Sequence, residues 1–109
     1  FMREYIRALI AAEKYPKVLA LCKRYKLLNK EKIRIERIDY LPIIQAYYYL
    51  AEYMENSISL EKLVASITKA ISQPMRGKYQ SLRINELLDE LMPLIPEAIK
   101  SVRIELHLN

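Results

Sequence analysis

The stretch SLEKLVASITKAIS, residues 59–72, gives the clearest indication of the fold. Its apolar side chains recur every three or four residues, a spacing that places them on one face of an α-helix. Ser59 precedes this stripe, and a serine hydroxyl at that position can accept a hydrogen bond from the first helical turn. The stretch therefore predicts a helix that begins after Ser59 and buries Leu60, Leu63, Val64, Ile67 and Ile71.

Similar spacing on both sides of this stretch predicts further helices. They run from residue 2 to about 15, from 17 to about 28, from 40 to about 55, and over roughly 84–92, with SQPMRGKYQS (72–81) as a loop and one more turn after Pro96. The chain has 109 residues, 52% of them hydrophobic, and one glycine. These features predict an all-α bundle of about five helices in a single domain, residues 2–109. The predicted core includes Ile6, Leu9, Ile10, Val18, Leu21, Cys22, Ile43, Tyr47, Leu50, Met54, Leu87, Leu88, Leu91 and Met92.

Two short segments follow the two-residue alternation of β-strands. One is KIRIERI (32–38), where 32–36 fits a strand but Ile38 is out of phase, so that a helix stays open as the alternative. The other is SVRIELHLN (101–109), where 102–107 fits a strand. We predict that they pair as a small accessory ribbon. Because an isolated two-stranded ribbon is marginal in water, its free edge would rest on the helices or on another chain, which favours a homodimer.

Few side chains could support catalysis. His107 and Cys22 are the only residues of their types, and Asp39 and Asp89 are the only aspartates. Neither a phosphate-binding loop nor a zinc-ligand or dinucleotide-binding pattern occurs, so we expect no enzymatic activity, no cofactor and no metal. The position of Cys22 on an apolar stripe predicts a buried, inert thiol. One cysteine, no leader pattern and no membrane-spanning run predict a cytoplasmic protein, and the composition is typical of thermophiles.

Positive charge is concentrated in two places. Residues 1–37 carry eleven Lys or Arg against four Glu, and residues 69–83 carry four basic residues and no acidic one. Basic side chains beside an aromatic ring can bind phosphates and stack a base, so DNA or RNA is the favoured partner. The candidate nucleic-acid-binding residues are Lys23, Arg24, Lys26 and Lys30 on the second helix, and Arg76, Lys78, Tyr79 and Arg83 around the loop.

A second set of residues predicts contact with protein. Tyr47, Tyr48 and Tyr49 point in different directions around one helix, so at least one tyrosine of this helix should face a partner or solvent. The partner-binding candidates are Tyr48, Tyr49, Tyr53, Arg103 and His107. The expected function is a nucleic-acid-binding accessory factor or small subunit of a nucleoprotein assembly. The alternative is a protein-interaction module or a homodimeric structural subunit that does not contact nucleic acid.

Overall fold

The protein is mainly helical in the part of the chain that its computed structural model describes, residues 2–24, 41–72 and 80–107. Six helices occur in these ranges, and no strand does. The all-α prediction is confirmed, and the described residues hold one helix more than the five expected. The helices are α1 (Met2–Ala11), α2 (Tyr15–Arg24), α3 (Leu41–Met54), α4 (Leu60–Ile71), α5 (Gln80–Leu91) and α6 (Pro96–Glu105).

One apolar core joins all six helices. α3 lies at its centre and packs against α1, α2 and α4, while α6 packs against α4 and α5. Tyr47 of α3 is fully buried, as are Ile6 of α1 and Ile99 of α6. Every helix contributes at least two buried side chains to this core, so each of them is held by tertiary packing and not by helix propensity alone.

Helix α4 begins where its sequence predicts. The Ser59 hydroxyl accepts a hydrogen bond from the Lys62 backbone N–H at 3.1 Å, which satisfies one of the free donors of the first turn. Leu63, Ile67 and Ile71 are buried as expected. Leu21, Val64 and Met92 are partly buried. Two predicted core residues are exposed: Leu60 is 37% exposed and Met54, at the end of α3, is 40% exposed.

Helices α1 and α3 end in the same backbone geometry. Glu13 follows α1 with a φ of 58°, and Asn56 follows α3 with a φ of 60°. This left-handed conformation turns the chain back on the helix, so that the N–H of Lys14 donates to the Leu9 carbonyl at 2.9 Å and that of Ser57 donates to the Glu52 carbonyl at 2.9 Å. The turn at Glu13 ends α1 at Ala11, before the predicted boundary near residue 15.

The terminal strand prediction is wrong. Residues 102–105 complete α6, and residues 106–107 form a turn. The apolar residues of this segment follow a helical spacing, since Ala98, Ile99 and Val102 are all buried on one face of α6. Ile104, which would share a face with Val102 in a strand, is 72% exposed. The proposed pairing segment, 32–36, lies outside the described residues. Without a strand at 102–107, the free edge that favoured a homodimer does not exist.

The loop prediction at 72–81 also extends too far. Gln80 already belongs to α5, four residues before the predicted helix start near 84. Pro96 does start a helix, but α6 has ten residues and is not a single turn. The proline lies in its first turn, where a missing N–H breaks no intrahelical hydrogen bond.

Candidate functional site

The outer face of α2 carries exposed basic side chains. Lys17, Lys23 and Arg24 are exposed, whereas Val18 and Cys22 on the opposite face are fully buried. Lys17 and Lys23 form no ion pair with another residue of the described ranges. Lys23 and Arg24 also occupy the last turn of α2, where cations interact favourably with the helix dipole. The helix thus presents a basic face, defined here by Lys17, Lys23 and Arg24.

Sequence reasoning identified Lys23 and Arg24 but missed Lys17. The missed signal is the spacing, since residues 17 and 24 are seven apart and lie on the same side of a helix. The other predicted basic residues cannot be placed beside this face. Lys26, Lys30, Arg76, Lys78 and Tyr79 lie outside the described residues, and Arg83 is described only as part of the α5 backbone.

The predicted partner-binding tyrosines have different environments. Tyr48 is 9% exposed and belongs to the core, where burial raises the pKa of its phenol and the nearby Glu52 raises it further. Its ring meets that of Tyr49 edge to face, with centroids 5.5 Å apart. Tyr49 and Tyr53 are half-buried at the margin of the core. Of the three, Tyr48 has the least surface to offer a partner.

Arg103 and His107 lie at the end of α6. The Arg103 guanidinium donates to the Asn85 amide oxygen at 3.0 Å and to the Asp89 carboxylate at 2.8 Å, so it joins α6 to α5. Only 18% of its side chain is exposed. His107 is exposed and has a φ of 58° in the turn after α6. Arg103 is therefore engaged within the chain, whereas His107 faces solvent.

A polar network that sequence reasoning missed links α1, α3 and α5. The Tyr47 hydroxyl donates to one oxygen of the Glu90 carboxylate at 2.6 Å, and Arg7 donates to the other oxygen at 2.6 Å. Burial raises the pKa of Tyr47, and donation to Glu90 raises it further. Because each group already has a partner, the network is suited to holding three helices together.

A cleft opens where the turn between α3 and α4 meets the start of α6. Its volume is about 270 Å³, and its lining is mainly apolar. Two of the lining residues, Tyr53 and Leu60, come from α3 and α4, and Glu97 brings a carboxylate from α6. Met54 and Leu94, each 40% exposed, are the chain neighbours of the lining residues Tyr53 and Ile95. The complete lining is Tyr53, Leu60, Ile95, Pro96, Glu97 and Ala98.

Charged side chains of both signs follow the lining residues in the chain. Glu97 lines the cleft, Glu61 follows the lining residue Leu60, and both are exposed. Lys62 and Lys100 are also exposed, two residues beyond Leu60 and three residues beyond Glu97. The cleft is thus a mainly apolar surface with one carboxylate, that of Glu97, in its lining.

The described residues include neither a candidate metal site nor an exposed thiol. They contain no cluster of three His, Cys, Asp or Glu side chains that could hold a metal ion. Cys22 is completely buried, with an exposed fraction of 0%. Burial also raises the pKa of its thiol to about 12. The prediction of a buried cysteine is confirmed. None of the helices in these ranges has the length and apolar character needed to cross a membrane.

Comparison with protein-family models, with curated proteins and with solved structures finds no match to this chain. The basic face of α2 and the apolar cleft are therefore the features from which a function is proposed.

Proposed function

We propose that this protein is a non-enzymatic nucleic-acid-binding factor that contacts phosphates through the basic face of α2. The supporting observation is the exposure of Lys17, Lys23 and Arg24 on one side of a helix whose other side is anchored in the core. Neither DNA nor RNA is favoured over the other by this face. The same protein could act alone or as a small subunit of a nucleoprotein assembly.

The dimensions of this face suit a phosphate backbone. Seven residues separate Lys17 from Arg24, which corresponds to about 10 Å along a helix and about three phosphates of one duplex strand. The core fixes α2 through Val18 and Cys22, so the three cations are held at fixed positions along the helix. Lysine and arginine at such spacing bind phosphates without reading base sequence.

The test is a titration with single- and double-stranded DNA and RNA over a range of salt concentrations. We expect binding whose logarithm falls linearly with the logarithm of salt concentration, because each phosphate contact releases counterions. The triple variant Lys17→Gln, Lys23→Gln, Arg24→Gln should weaken binding and lower that slope by about two to three.

A matched control is available on α4 and α6. The variant Lys62→Gln, Lys69→Gln, Lys100→Gln removes three exposed lysines and changes the net charge of +5 by the same amount. It should bind nearly as tightly as the unchanged protein if α2 is the contact surface. Equal losses of affinity in both variants would show that binding depends on net charge and not on α2, which would contradict the proposal. The absence of binding to any of the four polymers at low salt would also refute it.

The cleft supports a second function, that of a protein-interaction module. Monomeric proteins seldom leave several large apolar side chains exposed together, and Met54, Leu60 and Leu94 are all exposed at or beside the cleft. The two functions differ in their surface, since one uses α2 and the other uses the turns around α4 and α6. Variants of Leu60 would impair the second function and leave the first intact.

A further inference from the structure

We infer that α2 binds in the major groove of duplex DNA, with its outer side against the groove floor and its cations on the phosphates of both strands. This inference rests on the proposed function and narrows it to one nucleic acid and one mode of binding. The three cations of the basic face alone favour neither DNA nor RNA. Their arrangement around the helix, on both sides of one small residue, is what favours duplex DNA.

The small residue is Ala20, which lies at the middle of the exposed side of α2. Successive residues of an α-helix are about 100° apart around its axis, so Lys17 lies about 60° from Ala20 on one side and Lys23 about 60° on the other. Arg24 lies about 40° from Ala20, on the side of Lys17. All four are exposed, as is the uncharged Pro16 of the first turn. The outer side of α2 therefore has a low centre with a cation on each flank.

This arrangement matches the dimensions of the major groove of B-form DNA. The groove is about 12 Å wide and about 8.5 Å deep, and it admits an α-helix, whose diameter with side chains is about 10–12 Å. Because the side chain of Ala20 ends at its Cβ atom, the axis of α2 can lie close to the groove floor. Lys17 and Lys23 then extend towards opposite walls, where their ammonium groups can reach phosphates of different strands. The major groove of an RNA duplex is too narrow for this approach.

Charge of the opposite sign lies near the other side of α2. The helix itself contains no Asp or Glu. Burial raises the pKa of the Tyr15 phenol, and the nearby carboxylates of Glu13 and Glu55 raise it further. Tyr15 packs on the core and lies about 140° around the helix from Ala20. Phosphates that bind the basic face therefore approach the side of α2 that faces away from Tyr15 and these two carboxylates.

The connection before α2 has the length found in helix-turn-helix proteins. α1 ends at Ala11 and α2 begins at Tyr15, so three residues join the two helices, and Glu13 turns the chain between them with a φ of 58°. Helix-turn-helix proteins join two helices through about three or four residues and place the second helix in the major groove. Here α1 and α3 both pack against α2. The second helix is thus supported from within while its outer side stays exposed.

Fluorescence anisotropy of the unchanged protein, at one salt concentration, tests the polymer and the groove. A DNA duplex should bind at least about tenfold more tightly than an RNA duplex of the same sequence or than either single strand, since only its major groove admits a helix. Replacing cytosine in the DNA duplex by glucosylated 5-hydroxymethylcytosine fills the major groove with an uncharged sugar and should weaken binding at least about tenfold. Netropsin, which fills the minor groove, should leave binding unchanged.

The Ala20→Glu variant tests the residue placed at the groove floor. Ala65→Glu on α4 is the matched control, because it also replaces an exposed helical alanine and changes the net charge by the same amount. Ala20→Glu should bind the DNA duplex at least about tenfold more weakly, because its carboxylate would face the groove, whereas Ala65→Glu should bind within about twofold of the unchanged protein. Circular dichroism establishes that each variant is folded, with Ala20→Gln as the replacement if Ala20→Glu is not.

The outcomes separate this inference from the proposed function. Failure to bind any of the four polymers would overturn both. Equal affinity for the two duplexes, binding that ignores the glucosyl groups, or competition by netropsin would overturn the major-groove inference alone. Equal effects of Ala20→Glu and Ala65→Glu would do the same. The measurements on modified DNA use the unchanged protein, so they decide the question whether or not a variant folds.

Discussion

Tyr47 shows how one buried side chain can serve two purposes. Its ring fills the core beside α1 and α5, and its hydroxyl reaches the Glu90 carboxylate, which Arg7 holds from the other side. Helical spacing alone predicts that Tyr47 is buried. It does not predict the partner of its hydroxyl, because Glu90 is 43 residues away in the chain and its approach depends on how α5 packs.

The Tyr47→Phe variant should be less stable by about 1–2 kcal/mol, since it removes a hydrogen bond to a charged acceptor while keeping the ring. It should also change the response to alkali. The pKa of Tyr47 is raised above the ordinary 10.0, so the folded state favours the protonated phenol. That stabilisation is complete below pH 10 and is lost as the pH rises above it.

Urea unfolding at several pH values measures both effects. Between pH 10 and 11, the unchanged protein should lose stability more steeply than Tyr47→Phe. Tyr5→Phe alters an exposed tyrosine and is the control, which should follow the unchanged protein throughout. Identical pH dependence in Tyr47→Phe and the unchanged protein would mean that Tyr47 does not stabilise the folded state through its proton.

At the scale of elements, α6 shows why a short pattern can mislead. Val102, Ile104 and Leu106 alternate with polar residues, as they would in a strand. Their segment nevertheless continues a helix that begins at Pro96, because Ala98, Ile99 and Val102 together bury one helical face. The longer pattern decides the structure, since a helix satisfies its backbone within the segment whereas a strand needs a neighbour.

A pair of substitutions distinguishes the helix from the strand. Val102→Ala should lower the free energy of unfolding by about 2 kcal/mol, because Val102 is fully buried. Ile104→Ala should change it by less than about 0.5 kcal/mol, because Ile104 is mostly exposed. In a strand the two side chains would share a face and give similar losses, so comparable effects measured by thermal unfolding would contradict the helix.

The two predicted core residues that remain exposed are also informative. Met54 ends α3 and Leu60 begins α4, so both follow the apolar stripes of their helices but lie beyond the region that neighbouring helices cover. A stripe identifies which side of a helix faces inward, but it does not show how far along the helix the cover extends. These two residues lie at or next to the cleft, where exposure is expected if another protein completes the cover.

At the scale of the whole molecule, the six helices share one core and should unfold together. Ile6 lies in α1 and Ile99 in α6, both fully buried in the same cluster. We expect Ile6→Val and Ile99→Val each to lower stability by about 0.5–1.5 kcal/mol. In each variant, unfolding followed by far-ultraviolet and near-ultraviolet circular dichroism should coincide. Two separate transitions would show that the bundle divides into independent parts.

The distribution of charge over the molecule was only partly predictable. Counting residues along the chain identified the basic N-terminal region, and the exposure of Lys17, Lys23 and Arg24 agrees with that count. The ion pairs Arg7–Glu90 and Arg103–Asp89 were not expected, because each joins residues of two different helices. Only packing brings such residues to one place.

The left-handed residues that end α1 and α3 bear on how this sequence can evolve. A side chain makes that conformation costly, by roughly 1–2 kcal/mol for most residues, and asparagine tolerates it better than glutamate. Asn56 is thus well suited to its position, whereas Glu13 holds the same geometry at a disadvantage. A lineage that acquired glycine at residue 13 would gain a margin of stability, and that margin would permit mutations elsewhere that the present chain tolerates less well.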